Sequence, residues 1–305
     1  MIYDNIESAI GGTPLVKINH GDADSADIYA KLESKNPGGS VKDRAVKYIL
    51  QDLFEKGELK KGDTIVESTS GNTGIALSML GAAMGLKVII TMPETMSVER
   101  RQLMAAYGAK IVLTPGKEGM SGAGEKAKEI AKEKNAPILG QFMREANVKA
   151  HEETTGPEIL HDLPDVDGFV AGIGTGGTVS GVGHALKAHN ADVQIWSVEP
   201  SESPLLTAGH AGSHKIQGLG ANFVPEILDQ DIIDHIELVD SADALSEARH
   251  IARKYGILAG FSSGANFIAA KRLAKKLGAG KKVVVIFPDT GERYLSSGVY
   301  SDEAE

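Results

Sequence analysis

Short apolar stretches alternate along this chain with segments whose apolar positions recur every three or four residues. The first kind predicts strands at 64–67, 88–92, 110–113, 137–139, 169–171, 194–198, 236–239 and 283–287. The second predicts helices at 41–56, 74–84, 98–107, 122–134, 154–160, 179–188, 242–255 and 264–277. Val88-Ile89-Ile90 and Val283-Val284-Val285-Ile286-Phe287 are continuously apolar instead of alternating. That pattern belongs to strands covered on both faces, as in a parallel sheet with helices above and below. The expected class is α/β, doubly wound, with right-handed crossovers. At 305 residues the chain exceeds the usual size of one core, and a break near 145–150 is expected to divide two sheets.

Composition removes several alternatives. Glycine supplies 36 of 305 residues with no collagen-like period, and it gathers in short loops beside apolar runs. Backbone packed close to a ligand has that signature. A net charge of −9 argues against nucleic acid as a partner. Without cysteine there are no disulfides and no thiolate metal sites. His210 and His214 are four apart but have no helical periodicity and no carboxylate to complete a metal set, so no metal is expected. Met1-Ile2-Tyr3-Asp4-Asn5 lacks the features of a signal peptide. No apolar run approaches the roughly 18 residues of a membrane span. A cytoplasmic protein without membrane contact is expected.

Four places carry candidate chemistry. Asn36-Pro37-Gly38-Gly39 reads as a turn, Ser40 as an N-cap, and Lys42 falls in the first turn of the helix that follows. The electropositive end of a helix disfavours a cation and eases loss of its proton, which imine formation with an aldehyde requires. Ser68-Thr69-Ser70-Gly71-Asn72-Thr73-Gly74 joins a strand to a helix with four hydroxyls, an amide and two glycines, a nest for a carboxylate or phosphate. Gly172-Ile173-Gly174-Thr175-Gly176-Gly177-Thr178 also joins a strand to a helix. It matches G-x-G-x-x-G, and Glu199 ends the next strand, so a nicotinamide dehydrogenase is a rival. The same loop suits a single phosphate wrapped by amides and two threonine hydroxyls. Gly260-Phe261-Ser262-Ser263-Gly264 opens a further helix.

Taken together, these segments resemble O-acetylserine sulfhydrylase and the related cystathionine β-synthases, fold-type II pyridoxal-phosphate enzymes with a tryptophan-synthase-β-like fold. The likeness extends in order through Thr91-Met92-Pro93-Glu94-Thr95-Met96, Thr154-Thr155-Gly156-Pro157-Glu158, Lys215-Ile216-Gln217-Gly218-Leu219-Gly220 and Pro288-Asp289-Thr290-Gly291-Glu292-Arg293-Tyr294. It implies two α/β domains, 1–12 with 36–145 and 13–35 with 146–305, the first with a mobile substrate-binding part and the cofactor in the cleft between them. Lys42 would hold pyridoxal 5'-phosphate as a Schiff base and move the α-proton. Asn72 would bond the phenolic oxygen, and Ser262, ahead of Ser263, would face the pyridine nitrogen. Thr69, Ser70, Gly71 and Thr73, joined by Gln141, would take the substrate carboxylate. Gly174, Thr175, Gly176, Gly177 and Thr178 would bind the phosphate.

A serine at the ring nitrogen supplies no charge, so electron withdrawal is modest and suits expulsion of a β-leaving group. The implied reaction converts O-acetyl-L-serine and sulfide into cysteine and acetate. Relatives instead use homocysteine, or release sulfide from cysteine. A dehydrogenase would leave Lys42, the nest and Ser262 unused, and a non-catalytic binding protein would not need Lys42. The likeness further implies a homodimer and, as a partner, the C-terminal tail of serine acetyltransferase in the carboxylate site. It thins at Met143-Arg144-Glu145-Ala146-Asn147-Val148-Lys149-Ala150, which lacks the family's prolines. A looser wall is expected there, with Arg144 or Lys149 available to a second carboxylate.

Overall fold

The computed structural model describes residues 2–301. The chain divides into two compact units, Met1–Gly11 with Asn36–Ala146 and Gly12–Lys35 with Asn147–Glu305.

The first unit contains the parallel sheet β3 (Thr64–Ser68), β4 (Lys87–Pro93) and β5 (Lys110–Thr114). Its helices are α1 (Lys42–Glu55), α2 (Asn72–Met84), α3 (Val98–Ala106) and α4 (Gly119–Lys134). Strand alternation decides which helix covers which face. Val88, Ile90 and Met92 of β4 pack with Ile49 and Leu53 of α1, Leu77 of α2 and Met104 of α3. Ile89 points the other way, toward Ala127 and Ile130 of α4. Full burial of such a side chain contributes roughly 1.5–3 kcal/mol, which is why the run is apolar throughout.

The second unit has a six-stranded sheet in the order β1 (Leu15–Ile18), β2 (Asp27–Leu32), β9 (Lys282–Phe287), β6 (Gly168–Gly172), β7 (Gln194–Pro200), β8 (His235–Val239). All neighbours are parallel except β1 with β2. Val283, Val285 and Phe287 face Ala244 and Ile251 of α9 (Ser241–Tyr255) and Phe267 and Leu273 of α10 (Phe261–Leu277). Val284 and Ile286 face Ile159 of α6 (Gly156–Asp162) and Val182 and Leu186 of α7 (Gly177–His189). Two short helices, α5 (Ala146–Ala150) and α8 (Leu205–Ala208), complete the set. Each sheet is thus covered on both faces, the doubly wound α/β arrangement that the apolar runs predict.

Three local expectations need correction. The strand expected at 137–139 is a single bridge, Val66 with Ile138, because Pro137 offers no N–H and the chain turns at Gly140, φ 68°. The helix expected from 154 begins at Gly156, after a wide π-type turn over His151–Thr155. Strands β1 and β2 were not legible as strands. Lys17 and Lys31 interrupt their apolar pattern, yet Lys31 is wholly buried, bonded to Thr13 O at 2.6 Å and paired with Glu158 at 2.8 Å.

Candidate active site

Lys42 is the first residue of α1 and is half-buried. The turn before it closes through a Gly39 N–H to Asn36 O bond of 2.8 Å. Ser40 Oγ accepts the Lys42 backbone N–H at 3.2 Å, and Ser40 O accepts that of Asp43 at 3.3 Å. The N-cap position thus falls on Val41, one residue later than expected, and Ser40 supports the helix start through the Lys42 N–H. The Asp43 carboxylate, fully buried, reaches back to the Gly38 N–H at 2.5 Å and locks the turn to the helix. The lysine is thereby held on a rigid support.

In the same unit β3 runs through Ser68-Thr69-Ser70-Gly71 into α2, whose first residue is Asn72. The Thr69 N–H bonds Thr91 O at 3.1 Å, and Thr69 Oγ1 accepts the Gly71 N–H at 3.3 Å. Gly71 O in turn accepts from Gly74 at 3.1 Å. The first backbone N–H groups of a helix have no acceptor within it, so this end is electropositive. Thr73 Oγ1 donates to Gln141 Oε1 at 2.6 Å, with both side chains buried. The structure therefore brings together Thr69, Ser70, Gly71, Thr73 and Gln141, residues that the sequence places in two distant segments.

In the second unit β6 leads through Gly172-Ile173-Gly174-Thr175-Gly176 into α7. Gly176 is left-handed at φ 83°, a conformation glycine adopts without penalty. A Cβ on Gly174 would lie 2.3 Å from Gly218 O, and one on Gly177 would lie 2.2 Å from Asn147 Oδ1. Thr175 Oγ1 accepts the Gly177 N–H at 3.3 Å and the Asn147 Nδ2–H at 3.1 Å. Thr178 Oγ1 lies 3.3 Å from His151 Nε2, whose Nδ1 is 2.8 Å from Thr155 Oγ1. A tight loop of amides and hydroxyls at a helix start, with no room for a Cβ, fits a phosphate group.

Asn147 and His151 were not assigned from the sequence. Both are buried supports of this loop, and Asn147 lies in the segment expected to be a looser wall. The second part of that segment forms α5, with Asn147, Val148 and Ala150 buried, whereas 143–145 lie outside any helix. Arg144, expected to be available to a second carboxylate, donates to Ile138 O at 3.5 Å and pairs with Glu58 at 3.5 Å. Lys149 stays 65% exposed beside Glu153.

Ser262 and Ser263 open α10 and are both buried. Ser263 Oγ has no hydrogen-bond partner among the described residues, leaving polar capacity at the start of this helix. His214 Nε2 lies 3.1 Å from Gly220 O, and the described residues hold no cluster of three or more candidate metal ligands. No helix among them is long and apolar enough to cross a membrane.

Residues 6–289 match the family described as pyridoxal-phosphate dependent enzymes, and the chain belongs to it. A cysteine synthase of Staphylococcus aureus is 52% identical over 301 residues, covering 98% of this chain and 97% of that protein. The crystal structure of a cysteine synthase from Entamoeba histolytica superposes with a TM-score of 0.96 at 42% identity, over 100% of this chain and 93% of that one. That of an O-ureido-L-serine synthase gives 0.95 at 42% identity, over 100% and 99%. The resemblance, the fold class and the cofactor expected from the sequence all stand. The chain is an enzyme that uses pyridoxal phosphate.

Proposed function

We propose that this enzyme is a cysteine synthase, converting O-acetyl-L-serine and sulfide into L-cysteine and acetate in the cytoplasm. The observation that carries the reading is the helix-start nest, with Thr73 bonded to buried Gln141. It is a receiver for an amino acid's carboxylate, in a chain whose family works on amino acids through pyridoxal chemistry. Bound pyridoxal phosphate withdraws electrons from the substrate Cα, which makes loss of the α-proton and then of β-acetate feasible.

The chain's own residues supply the rest. Lys42 Nζ would hold the cofactor and afterwards take and return the α-proton. Asn72 would serve the phenolic oxygen, Ser262 the pyridine nitrogen, and Gly174, Thr175, Gly176, Gly177 and Thr178 the phosphate. Thr69, Ser70, Gly71, Thr73 and Gln141 would orient the substrate carboxylate. Sulfide is favoured over homocysteine as acceptor: of the two cations expected to meet a second carboxylate, Arg144 is engaged by Glu58 and Ile138 O, and Lys149 lies exposed beside Glu153.

The acceptor is tested by supplying O-acetylserine with sulfide or homocysteine at matched concentrations. Cysteine should form much faster than cystathionine, and the reverse order would overturn the assignment. The working molecule is a homodimer, which light scattering checks. The nest also suits the C-terminal carboxylate of a serine acetyltransferase tail. Calorimetry with such a peptide should give heat and competition with O-acetylserine, and neither would dispose of that partner.

A further inference from the structure

Glu67 is a carboxylate near the end of a buried strand, only 7% exposed, where the pattern of β3 calls for an apolar side chain. On one side β3 meets the segment before Gln141. The Val66 N–H donates to Pro137 O at 3.0 Å, and the Leu139 N–H to Val66 O at 3.1 Å. Backbone pairing ends there, because Gly140 turns the chain at φ 68°. Its N–H is taken by Glu67 Oε2 at 2.8 Å, while Oε1 accepts the Ser68 N–H at 3.1 Å. One side chain therefore grips the first residue of the nest and the residue immediately before Gln141.

Thr73 and Gln141 close the same two segments at their other end, 2.6 Å apart. The chain 67–73, the Thr73–Gln141 bond, residues 140–141 and the Glu67 carboxylate form one closed ring. An amide in that place brings one oxygen and one NH2, so it cannot present a separate oxygen to each of the two N–H groups, and its NH2 would face one of them donor to donor. Burial pushes the Glu67 carboxyl up to about 7, against the opposing pull of the Arg144 guanidinium and the two N–H groups. A group that costs stability at neutral pH in this way is a candidate for a role in function.

We propose that Glu67 is a positioning residue that fixes the spacing between the nest and Gln141, and with it the fit of the amino-acid substrate's carboxylate. The proposal rests on the reading of the nest as the carboxylate receiver. Glu67 acts from the far side of the nest and is assigned no contact with a reacting atom. Its effect reaches the substrate only through the ring.

The test is steady-state kinetics of Glu67→Gln and Thr73→Val holoenzymes side by side. Glu67→Gln should raise KM for O-acetylserine about tenfold, the loss of one hydrogen bond to a charged group. Its kcat, its KM for sulfide and its cofactor content should match the parent. A purely structural role would instead lower active fraction and kcat with KM unchanged, and that result overturns the proposal. If only Thr73→Val raises KM, the carboxylate receiver stands and the role of Glu67 falls. If neither does, both fall.

Should Glu67→Gln fail to fold, the parent holoenzyme answers through its amide resonances, with propionate as the carboxylate probe. The Ser68 and Gly140 amides should shift together as propionate binds. A response of Ser68 without Gly140, or of neither, overturns the proposal.

Discussion

Thr73 Oγ1 donates to Gln141 Oε1 across 2.6 Å, joining the first turn of α2 to a residue 68 positions later in a buried contact. A hydroxyl spent on a glutamine is held in one orientation, which a freely rotating threonine would not have. The bond makes Gln141 part of the nest instead of a neighbour to it.

Thr73→Val keeps the shape and removes the donor, leaving the Gln141 oxygen buried without it. KM for O-acetylserine should rise about tenfold while the cofactor stays bound, because the loop proposed to hold the phosphate is untouched. Initial-rate kinetics with the amino acid varied, alongside a cofactor assay, check both halves.

In the loop proposed to hold the phosphate, Gly176→Ala imposes a Cβ on a left-handed backbone and sets it 2.8 Å from Leu228 Cβ. The conformational part alone costs about 1–2 kcal/mol. The variant should lose pyridoxal phosphate on dialysis that the parent withstands, with retained cofactor read by absorbance. Undiminished retention would mean that the loop does not hold the phosphate.

Glu67 gives stability a pH dependence with a definite sign. Its carboxyl is raised from 4.5 to about 7 by burial, so the folded chain holds that proton more tightly than the unfolded chain. The cost is absent below the unfolded value, grows as pH rises, and is fully present above about 7, at roughly 3 kcal/mol. Urea unfolding between about pH 5 and 8 should show this slope in the parent and a flatter one in Glu67→Gln. Parallel slopes would contradict the assignment.

Much of this was legible in the residues, and the exceptions have physical causes. The apolar runs of β4 and β9 reported two covered faces, because nothing but buried residues could occupy them. The glycine-rich loops reported themselves through what a Cβ would strike. Strand β2 stayed hidden because Lys31 reads as a surface residue, whereas Glu158 and Thr13 O satisfy it in the interior. Asn147 and Glu67 were missed for a related reason. Each supports a loop from a position distant in sequence, and only the folded chain shows which backbone or hydroxyl it meets.

Every role proposed for the site depends on Lys42 as the residue that would carry the cofactor. Borohydride fixes a lysine–pyridoxal linkage permanently, so reduction of the holoenzyme, digestion and peptide mass spectrometry read the attachment point directly. The phosphopyridoxyl mass should appear on the peptide containing Lys42, with no such label in Lys42→Ala, together with loss of cysteine formation. A label on a different lysine of the active parent, or undiminished turnover by Lys42→Ala, would contradict that role.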